Sequence, residues 1–222
     1  MQLSSEVISI ESGIITLSHM VRRLMESHVA VLVEGRAVEF SEMRQKSWKD
    51  WFSELAFCIL TANSSAELGI KIQEELGPKG FLELPLQELS KRLRQLGHRF
   101  PNARAKYIVD ARVHAERLKE IVEGQHPYYA REWLARNIKG LGYKEASHFL
   151  RNTGHFGLAI IDRHIMRLLY KYGVIPLLPS SLSRKRYLEM EEHIMLLSNY
   201  TSLEPGILDL YLWYLSTGKV LK

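Results

Sequence analysis

Cysteine is almost absent from this chain, whose 222 residues include one, Cys58. A single thiol excludes a disulfide within the chain, and it excludes a four-cysteine iron–sulfur cluster or an all-cysteine metal site. Cys58 stands in the apolar stretch Ala-Phe-Cys-Ile-Leu at positions 56–60. This setting predicts a buried structural thiol rather than a reactive one.

Long hydrophobic runs and chain-breaking residues are also scarce. No run approaches the roughly 20 apolar residues that a membrane-spanning helix needs. With 14 Gly, 7 Pro and 46% hydrophobic residues, the composition is that of an ordinary globular protein. The length allows one large domain or two small domains that share a core. Residues 1–6 lack the basic start and apolar block of a signal peptide, so we expect an intracellular protein.

Charge of neither sign dominates strongly. The chain has 30 Lys and Arg against 25 Asp and Glu, which gives a net charge of +5 and a pI near 9.2. This balance is compatible with a polyanionic partner, but many proteins without such a partner are equally basic.

Helical spacing of apolar residues is the main pattern that is present. One stripe consists of Ile108, Ala111, Ala115 and Leu118, and almost no segment alternates with period two. We predict an all-α fold with about ten helices, over residues 10–31, 41–62, 66–76, 87–95, 102–121, 127–138, 143–153, 162–172, 182–197 and 203–216. Breaks are predicted at residues 77–78, 101, 124–127, 154 and 176–181.

Two glycines frame one leucine between the predicted helices 127–138 and 143–153. The sequence Gly140-Leu141-Gly142 allows this turn to approach a DNA backbone closely, with Leu141 filling the gap between the helices. Backbone N–H groups at the start of the second helix can then hold a phosphate without reading a base. An ordinary helix–helix turn capped by glycine is the alternative for this motif taken alone.

Lys144 stands at the start of the second helix, where the helix dipole disfavours a cation. If the side chain is also partly desolvated, a fraction of it is the neutral amine, which is a nucleophile. A surface lysine at a helix start is more common, and it is the alternative.

Asp162 begins the predicted helix 162–172, so its default role is the N-cap of that helix. Ile160 and Ile161 predict a buried approach to Asp162, and a capping carboxylate fixed in this way can also face a cleft. Arg163 and His164 are able to contact phosphate, although a solvated charge cluster is the alternative.

Together, residues 141–144 (Leu-Gly-Tyr-Lys) and 161–164 (Ile-Asp-Arg-His) resemble the helix-hairpin-helix, Gly/Pro-rich loop and aspartate signature of the endonuclease-III-like DNA glycosylase superfamily. Lys139 stands where many members carry proline, and the turn geometry remains plausible with this departure. By this resemblance, Lys144 is the nucleophile of the members that also have lyase activity, and Asp162 is the aspartate that assists it.

Three further segments narrow the resemblance to the compact type-2, archaeal-type 8-oxoguanine DNA glycosylase/AP lyases. They are residues 58–66, 99–108 and 210–222, and the whole resemblance covers residues 45–222. It implies two helical domains with the active site in the cleft between them. The predicted domains are a helical barrel, 46–156, which carries the helix-hairpin-helix 127–153, and a discontinuous domain, 1–45 with 157–222.

The resemblance also implies a pocket for the extruded base. Trp213 and Lys222 match the family's C-terminal aromatic residue and terminal lysine, and Phe100 falls where another pocket wall is expected. Asp209, one turn before Trp213, is placed to hydrogen-bond a base edge. Asn63 resembles the residue that fills the hole left by the base. The alternatives are plain core for Trp213, a frayed end for Lys222 and a turn or cap for Asn63.

The implied activity is excision of 8-oxoguanine from double-stranded DNA through a lysine Schiff base, followed by β-elimination at the abasic site. We expect a monomer in the cytoplasm or associated with the nucleoid. The chemistry requires no metal or redox cofactor. The sequence leaves open whether the hairpin carbonyls bind a monovalent cation. The expected DNA contacts are Asn63, Lys139, Gly140, Gly142, Arg151, Arg163 and His164. Those that bind phosphate should give a DNA affinity that falls with salt.

Two alternative functions remain after the resemblance. One is a glycosylase of the same fold for another lesion, such as an oxidised pyrimidine or a mispaired adenine; Trp213 with Lys222 favours 8-oxoguanine instead. The other is a non-catalytic helix-hairpin-helix DNA-binding module. A binding module needs the glycines but neither Lys144 nor Asp162, so the presence of both argues against it.

Overall fold

The computed structural model describes residues 2–222, with side chains from Ile10 onward. Regular structure in this range consists of helices without strands, which confirms the all-α prediction. No helix in the described chain is both long and apolar enough to cross a bilayer. The elements are α1 (Gln2–Met25), α2 (His28–Met43), α3 (Trp48–Thr61), α4 (Ala66–Glu83), α5 (Leu86–Gln95), α6 (Pro101–Ala111), a 3₁₀ helix (Arg112–Arg117), α7 (Leu118–Glu123), α8 (Pro127–Asn137), α9 (Tyr143–Asn152), α10 (Arg163–Lys171), α11 (Arg184–Thr201) and α12 (Pro205–Thr217).

Several of the predicted helices were wrong in extent, and the predicted helices 10–31 and 41–62 both overlap α2. Residues 32–40 were predicted as a connection, but they belong to α2, whose buried positions include Val33 and Phe40. The single predicted helix 102–121 divides into α6, the 3₁₀ helix and α7. The apolar stripe predicted for it is nevertheless buried along its whole length.

The predicted break at residues 77–78 is a kink inside α4 rather than an end. Gly77 has a φ of +59°, in the left-handed region that favours glycine. Pro78 has no backbone N–H to donate to the preceding turn, so the hydrogen-bond ladder is interrupted there. The chain is helical on both sides of the kink.

The chain divides into two compact units, Met1–Val38 with Phe156–Leu221, and Glu39–His155 with Lys222. In the first unit, α1 packs on α11 and α12, and α10 packs on α12. In the second unit, α4, the 3₁₀ helix and α9 pack around α3. The domain boundaries predicted from the sequence stay a prediction.

Helix α3 is the centre of the second unit. It begins with a capping box, in which the Ser47 hydroxyl accepts from the Asp50 backbone N–H and the Asp50 carboxylate accepts from the Ser47 backbone N–H. Every residue from Trp51 to Thr61 is buried, including Cys58, which confirms the prediction of a buried thiol. This helix therefore provides a rigid base for the functional side chains of the unit.

Candidate active site

The hairpin between α8 and α9 is formed by residues 138–142. Gly140 has a φ of +91°, and a Cβ added there would lie 2.7 Å from the Tyr107 ring, so both conformation and space require glycine. Gly142 has a φ of −95°, which any residue adopts. Leu141 is buried, as predicted.

Lys144 lies in the first turn of α9, and its side chain is 24% exposed. Its Nζ is 3.4 Å from Glu145 Oε1. The other carboxylate oxygen of Glu145 accepts a hydrogen bond from the Gly142 backbone N–H at 3.1 Å. The amine therefore stays accessible to a reactant, while one carboxylate both caps the helix and orients the amine.

The Lys222 side chain is held in place by defined contacts. The alternative of a frayed end is therefore wrong. Its Nζ donates to Glu54 Oε2 at 2.8 Å and to Gln73 Oε1 at 2.5 Å, and it lies 4.4 Å from the centre of the Phe57 ring. Its exposure is 17%, and that of Glu54 is 1%. The ammonium is thus fixed by α3 and α4.

His148 is a buried histidine one turn after Lys144 on α9. Its ring meets the Phe57 ring edge-on, with 5.6 Å between the centroids. Burial lowers the pKa of His148 well below its usual 6.5, and the positive charges of Arg151, Lys144 and Lys222 add to this effect. His148 is therefore a neutral imidazole within the electrostatic reach of both lysines.

Cys58 is affected by the same charges. Burial raises the pKa of the Cys58 thiol well above its usual 9.0, and Glu54 adds to the rise, whereas Lys222 and Lys144 oppose it. The thiol is therefore protonated and unreactive, in agreement with the structural role predicted for it.

Asp162 is the N-cap of α10, which confirms its predicted structural role. Its Oδ1 accepts from the backbone N–H groups of His164, at 2.8 Å, and Ile165, at 2.9 Å. Its Oδ2 accepts from the indole Nε1 of Trp213 at 3.2 Å. The His164 ring lies 5.6 Å from the Trp213 ring. The structure thus brings three of the predicted site residues of this unit together around one carboxylate.

Comparison with known proteins adds to this geometry. The sequence model of the family described as 8-oxoguanine DNA glycosylase matches residues 33–203. The chain belongs to this family. The resemblance to the 8-oxoguanine DNA glycosylases, which residues 58–66, 99–108 and 210–222 added to that of the hairpin and aspartate segments, is therefore confirmed.

Similar proteins of this family cover nearly the whole chain. An 8-oxoguanine DNA glycosylase/AP lyase of Methanocaldococcus jannaschii is 51% identical over 203 residues, which are 91% of this chain and 97% of the relative. A protein of the same name from Korarchaeum cryptofilum is 49% identical over 95% of this chain and 100% of the relative.

Solved structures agree with these relatives. The M. jannaschii 8-oxoguanine glycosylase/lyase in complex with a 15mer DNA containing 8-oxoguanine has a TM-score of 0.91 at 50% identity, with 93% of this chain and 100% of that chain covered. An endonuclease III–DNA complex has a TM-score of 0.57 at 19% identity, with coverage of 90% and 81%. The second likeness shows a shared fold alone.

The turn after α3 carries Asn63, the residue that resembles the family's hole-filling side chain. Asn63 is exposed and has a φ of +59°. The carbonyl before it, of Ala62, accepts from the Arg104 guanidinium at 2.6 Å, and the Leu60 carbonyl is 3.0 Å from His98 Nε2. The cap of α4 is the Ser65 hydroxyl and not Asn63. The turn is therefore held from its buried side, with Asn63 at its exposed tip.

Arg151 lies where a phosphate contact is not feasible, so this predicted DNA contact is corrected. It is 3% exposed, its guanidinium lies 4.9 Å from the Phe40 ring centre, and its Nε donates to Asn152 Oδ1. By contrast, Lys139 is 69% exposed and Arg163 is also exposed. The sequence around Arg151, in the last turn of α9, contains no feature that distinguishes a buried arginine from an exposed one.

The remaining predicted pocket residues lie in separate elements. Phe100 is the exposed residue before α6, with the Arg99 guanidinium 5.0 Å from its ring centre. Asp209 is buried in α12.

Three residues around the two lysines were not predicted from the sequence, namely Glu54, Glu145 and His148. Glu145 had a signal, because a glutamate three residues after the N-cap is typical of a capping box.

Proposed function

We propose that this chain is a bifunctional DNA repair glycosylase that excises 8-oxoguanine from double-stranded DNA and cleaves the resulting abasic strand. The observation that carries the proposal is the position of Lys144, a partly exposed amine in the first turn after the hairpin. Family membership supplies the lesion, because the relatives bear the name 8-oxoguanine DNA glycosylase/AP lyase.

The nucleophile in this proposal is the neutral amine of Lys144. Its Nζ attacks C1′ of the damaged nucleotide, the bond between C1′ and the base nitrogen breaks, and the base leaves with the electron pair. Opening of the sugar then gives a Schiff base between Nζ and C1′. The Schiff base acidifies C2′, so loss of a C2′ proton expels the 3′ phosphate and cuts the strand.

Asp162 supplies the negative charge in this reaction. Its carboxylate stabilises the positive charge that develops on the sugar, and it helps to activate the amine. Two backbone N–H groups and the Trp213 indole hold the carboxylate, so little reorganisation is needed during the reaction.

The proposed substrate contacts are the residues predicted from the sequence except Arg151, which is buried. The base pocket consists of Phe100, Asp209, Trp213 and Lys222, and the DNA contacts are Asn63, Lys139, Gly140, Gly142, Arg163 and His164. The protein acts as a monomer on intracellular DNA, in the cytoplasm or on the nucleoid. The two helical domains, 1–45 with 157–222 and 46–156, remain part of this proposal.

Borohydride trapping on a duplex with a single 8-oxoguanine opposite cytosine tests the nucleophile. Wild type forms a covalent adduct, and Lys144→Gln forms none, because an amide cannot make the Schiff base that borohydride reduces. Lys79→Gln is the matched control, since it removes an 85% exposed lysine of the same unit that is not among the proposed DNA contacts, and it leaves the adduct intact. An adduct that persists in Lys144→Gln moves the nucleophile elsewhere. A wild type that binds the duplex without forming an adduct favours another lesion or a binding module.

The second variant, Asp162→Asn, tests the carboxylate. Asparagine is as good an N-cap as aspartate, so the fold is retained. Loss of the charge slows base release by roughly 10²–10³-fold, the range found when one preorganised electrostatic contact is removed. Single-turnover kinetics on the same duplex measure this rate, and an unchanged rate would remove Asp162 from the mechanism.

A further inference from the structure

Glu54 is a fully buried carboxylate in the middle of α3. Its Oε1 accepts from Asn152 Nδ2 at 2.7 Å. Its Oε2 accepts from Gln73 Nε2 at 3.1 Å and from Lys222 Nζ at 2.8 Å. One side chain therefore joins the end of α9, the middle of α4 and the last residue of the chain.

A charge in this place does not contribute much net stability. Removing a carboxylate and an ammonium from water is costly, and replacement of a buried ion pair by apolar residues is often neutral or stabilising. The rest of α3 from Trp51 to Thr61 is mostly apolar, so the helix itself would pack without a carboxylate. What the hydrogen bonds of Glu54 do provide is direction, because each one fixes a donor in a defined place.

Lys222 is the group whose position depends most on Glu54. The residues before it, 219–221, have no regular structure, and a free lysine side chain has several rotatable bonds. Two acceptors on two different helices, Glu54 and Gln73, define where its Nζ lies. The Phe57 ring beneath the ammonium restricts it further.

The same network extends to the helix that carries Lys144. Asn152 is the last residue of α9, and it is tied to the other oxygen of Glu54. The Phe57 ring contacts Lys222 and also His148, which lies one turn from Lys144. The terminal lysine and α9 are thus located against one carboxylate.

We propose that Glu54 is a positioning residue for base recognition, which sets the place of Lys222 relative to Lys144 on α9. This inference rests on the proposed function, in which Lys222 lines the base pocket and Lys144 attacks the sugar. Glu54 itself does not touch the substrate. Its effect reaches the reaction through Lys222. Glu54 therefore influences the rate of base release, and it does not influence strand cleavage after the base is lost.

The test compares two reactions of the full chain. The first is single-turnover release of 8-oxoguanine from a duplex, and the second is strand cleavage of a duplex that already contains an abasic site. Glu54→Gln keeps the shape of the side chain and removes its charge. It slows base release by roughly 10–100-fold, since misplacement of a contact by about 1 Å costs up to about 10²-fold. Abasic-site cleavage stays within about 3-fold of wild type.

Two further variants establish that the effect runs through Lys222. Lys222→Met alone slows base release by a similar factor, and Glu54→Gln/Lys222→Met is no slower than the slower single variant, because residues acting as one unit are not additive. Glu75→Gln is the matched control, since Glu75 is an ion-paired carboxylate of α4 whose partner is Arg92. It leaves both reactions at the wild-type rate.

Several outcomes overturn the proposal. Glu54→Gln with a wild-type rate of base release removes its positioning role. Equal slowing of both reactions indicates that the ion pair only stabilises the fold. Additive losses of rate in the double variant indicate that Glu54 acts independently of Lys222. Wild type that cleaves abasic DNA but never releases 8-oxoguanine defeats the proposed function itself, and this result differs from the other three.

A milder variant protects the test against loss of folding. Gln73→Met removes one of the two acceptors of the Lys222 ammonium and leaves Glu54 with its charge. If Glu54→Gln does not fold by circular dichroism, Gln73→Met is expected to slow base release by roughly 3–10-fold with abasic-site cleavage unchanged. Equal rates of base release in Gln73→Met and wild type would then overturn the proposal.

Discussion

The start of α9 and the last residue of the chain each present a lysine ammonium, and the surroundings of the two differ. Lys144 has one carboxylate, Glu145, at 3.4 Å. Lys222 has Glu54 at 2.8 Å, Gln73 at 2.5 Å and an aromatic face beneath it. Glu145 is itself partly exposed and engaged with the hairpin, whereas Glu54 is fully buried.

The difference matches two kinds of work. A nucleophile has to leave its resting contacts and form a bond, so strong contacts to a lysine would oppose the reaction. A recognition group acts by staying in one place, so strong contacts favour its action. On the proposed function, the structure separates these tasks between Lys144 and Lys222.

The largest test of this comparison exchanges each lysine for arginine. Lys144→Arg lowers formation of the borohydride-trapped adduct by about 10⁴-fold or more, since a guanidinium keeps the charge but does not form a Schiff base. Lys222→Arg keeps a cation next to Glu54 and retains adduct formation within about 10-fold. Trapping with the 8-oxoguanine duplex measures both. Equal losses in the two variants would contradict the division of tasks.

A second test disturbs only the hairpin end of the unit. Gly140→Ala forces an alanine into the left-handed region and places its Cβ 2.7 Å from Tyr107, so we expect a loss of about 2–3 kcal/mol in the free energy of unfolding and weaker DNA binding. Gly142→Ala is the control, because Gly142 has a φ of −95° and the nearest atom to an added Cβ is the flexible Glu145 carboxylate at 3.2 Å. Urea unfolding compares the two variants, and similar losses would show that the turn does not require glycine at position 140.

The smallest effect concerns His148, which lies within reach of both lysines. In the unfolded chain this imidazole takes up a proton below its usual pKa of 6.5, whereas in the folded chain burial holds its pKa well below that value. Protonation therefore favours unfolding as the pH falls below 6.5, by up to about 1.4 kcal/mol per pH unit. Between pH 7.5 and 5.5, wild type should lose about 1 kcal/mol more stability than His148→Gln.

Chemical denaturation at the two pH values measures this difference. Buried His98 and the partly buried His155 and His193 also have lowered pKa values, but they are present in both proteins and cancel in the comparison. His19→Gln, at an exposed position, serves as the control and should follow wild type. A variant at position 148 that is as acid-sensitive as wild type would mean that His148 is protonated in the fold.

Much of the fold followed from local sequence. The apolar stripes predicted the long helices, and Asp162 capped α10 as expected. Helix α2 was only partly predicted because exposed apolar residues, Val31 and Val38 among them, blur its buried face, and Gly35 interrupts the pattern. The 3₁₀ helix after α6 was not predicted, because its residues keep the buried stripe at nearly helical spacing.

The site was predictable only where its residues form a local motif. Gly140, Lys144 and Asp162 stand in short segments with recognisable spacing, whereas the contacts of Glu54 join residues 19, 98 and 168 positions away. A glutamate within an apolar helix carries no local sign of which distant donors will reach it. Tertiary packing decides that, and it also decides that Arg151 is buried.

The single thiol of this chain can report the rate at which the core opens. Because Cys58 is fully buried and burial raises its pKa, a soluble thiol reagent reacts with it only when α3 separates from its neighbours. The labelling rate at native pH thus reports the opening of the unit that carries Lys144 and Lys222, and one labelled mass per molecule follows from having one cysteine. A lesion-containing duplex that binds this unit and holds it closed would lower the rate of Cys58 labelling.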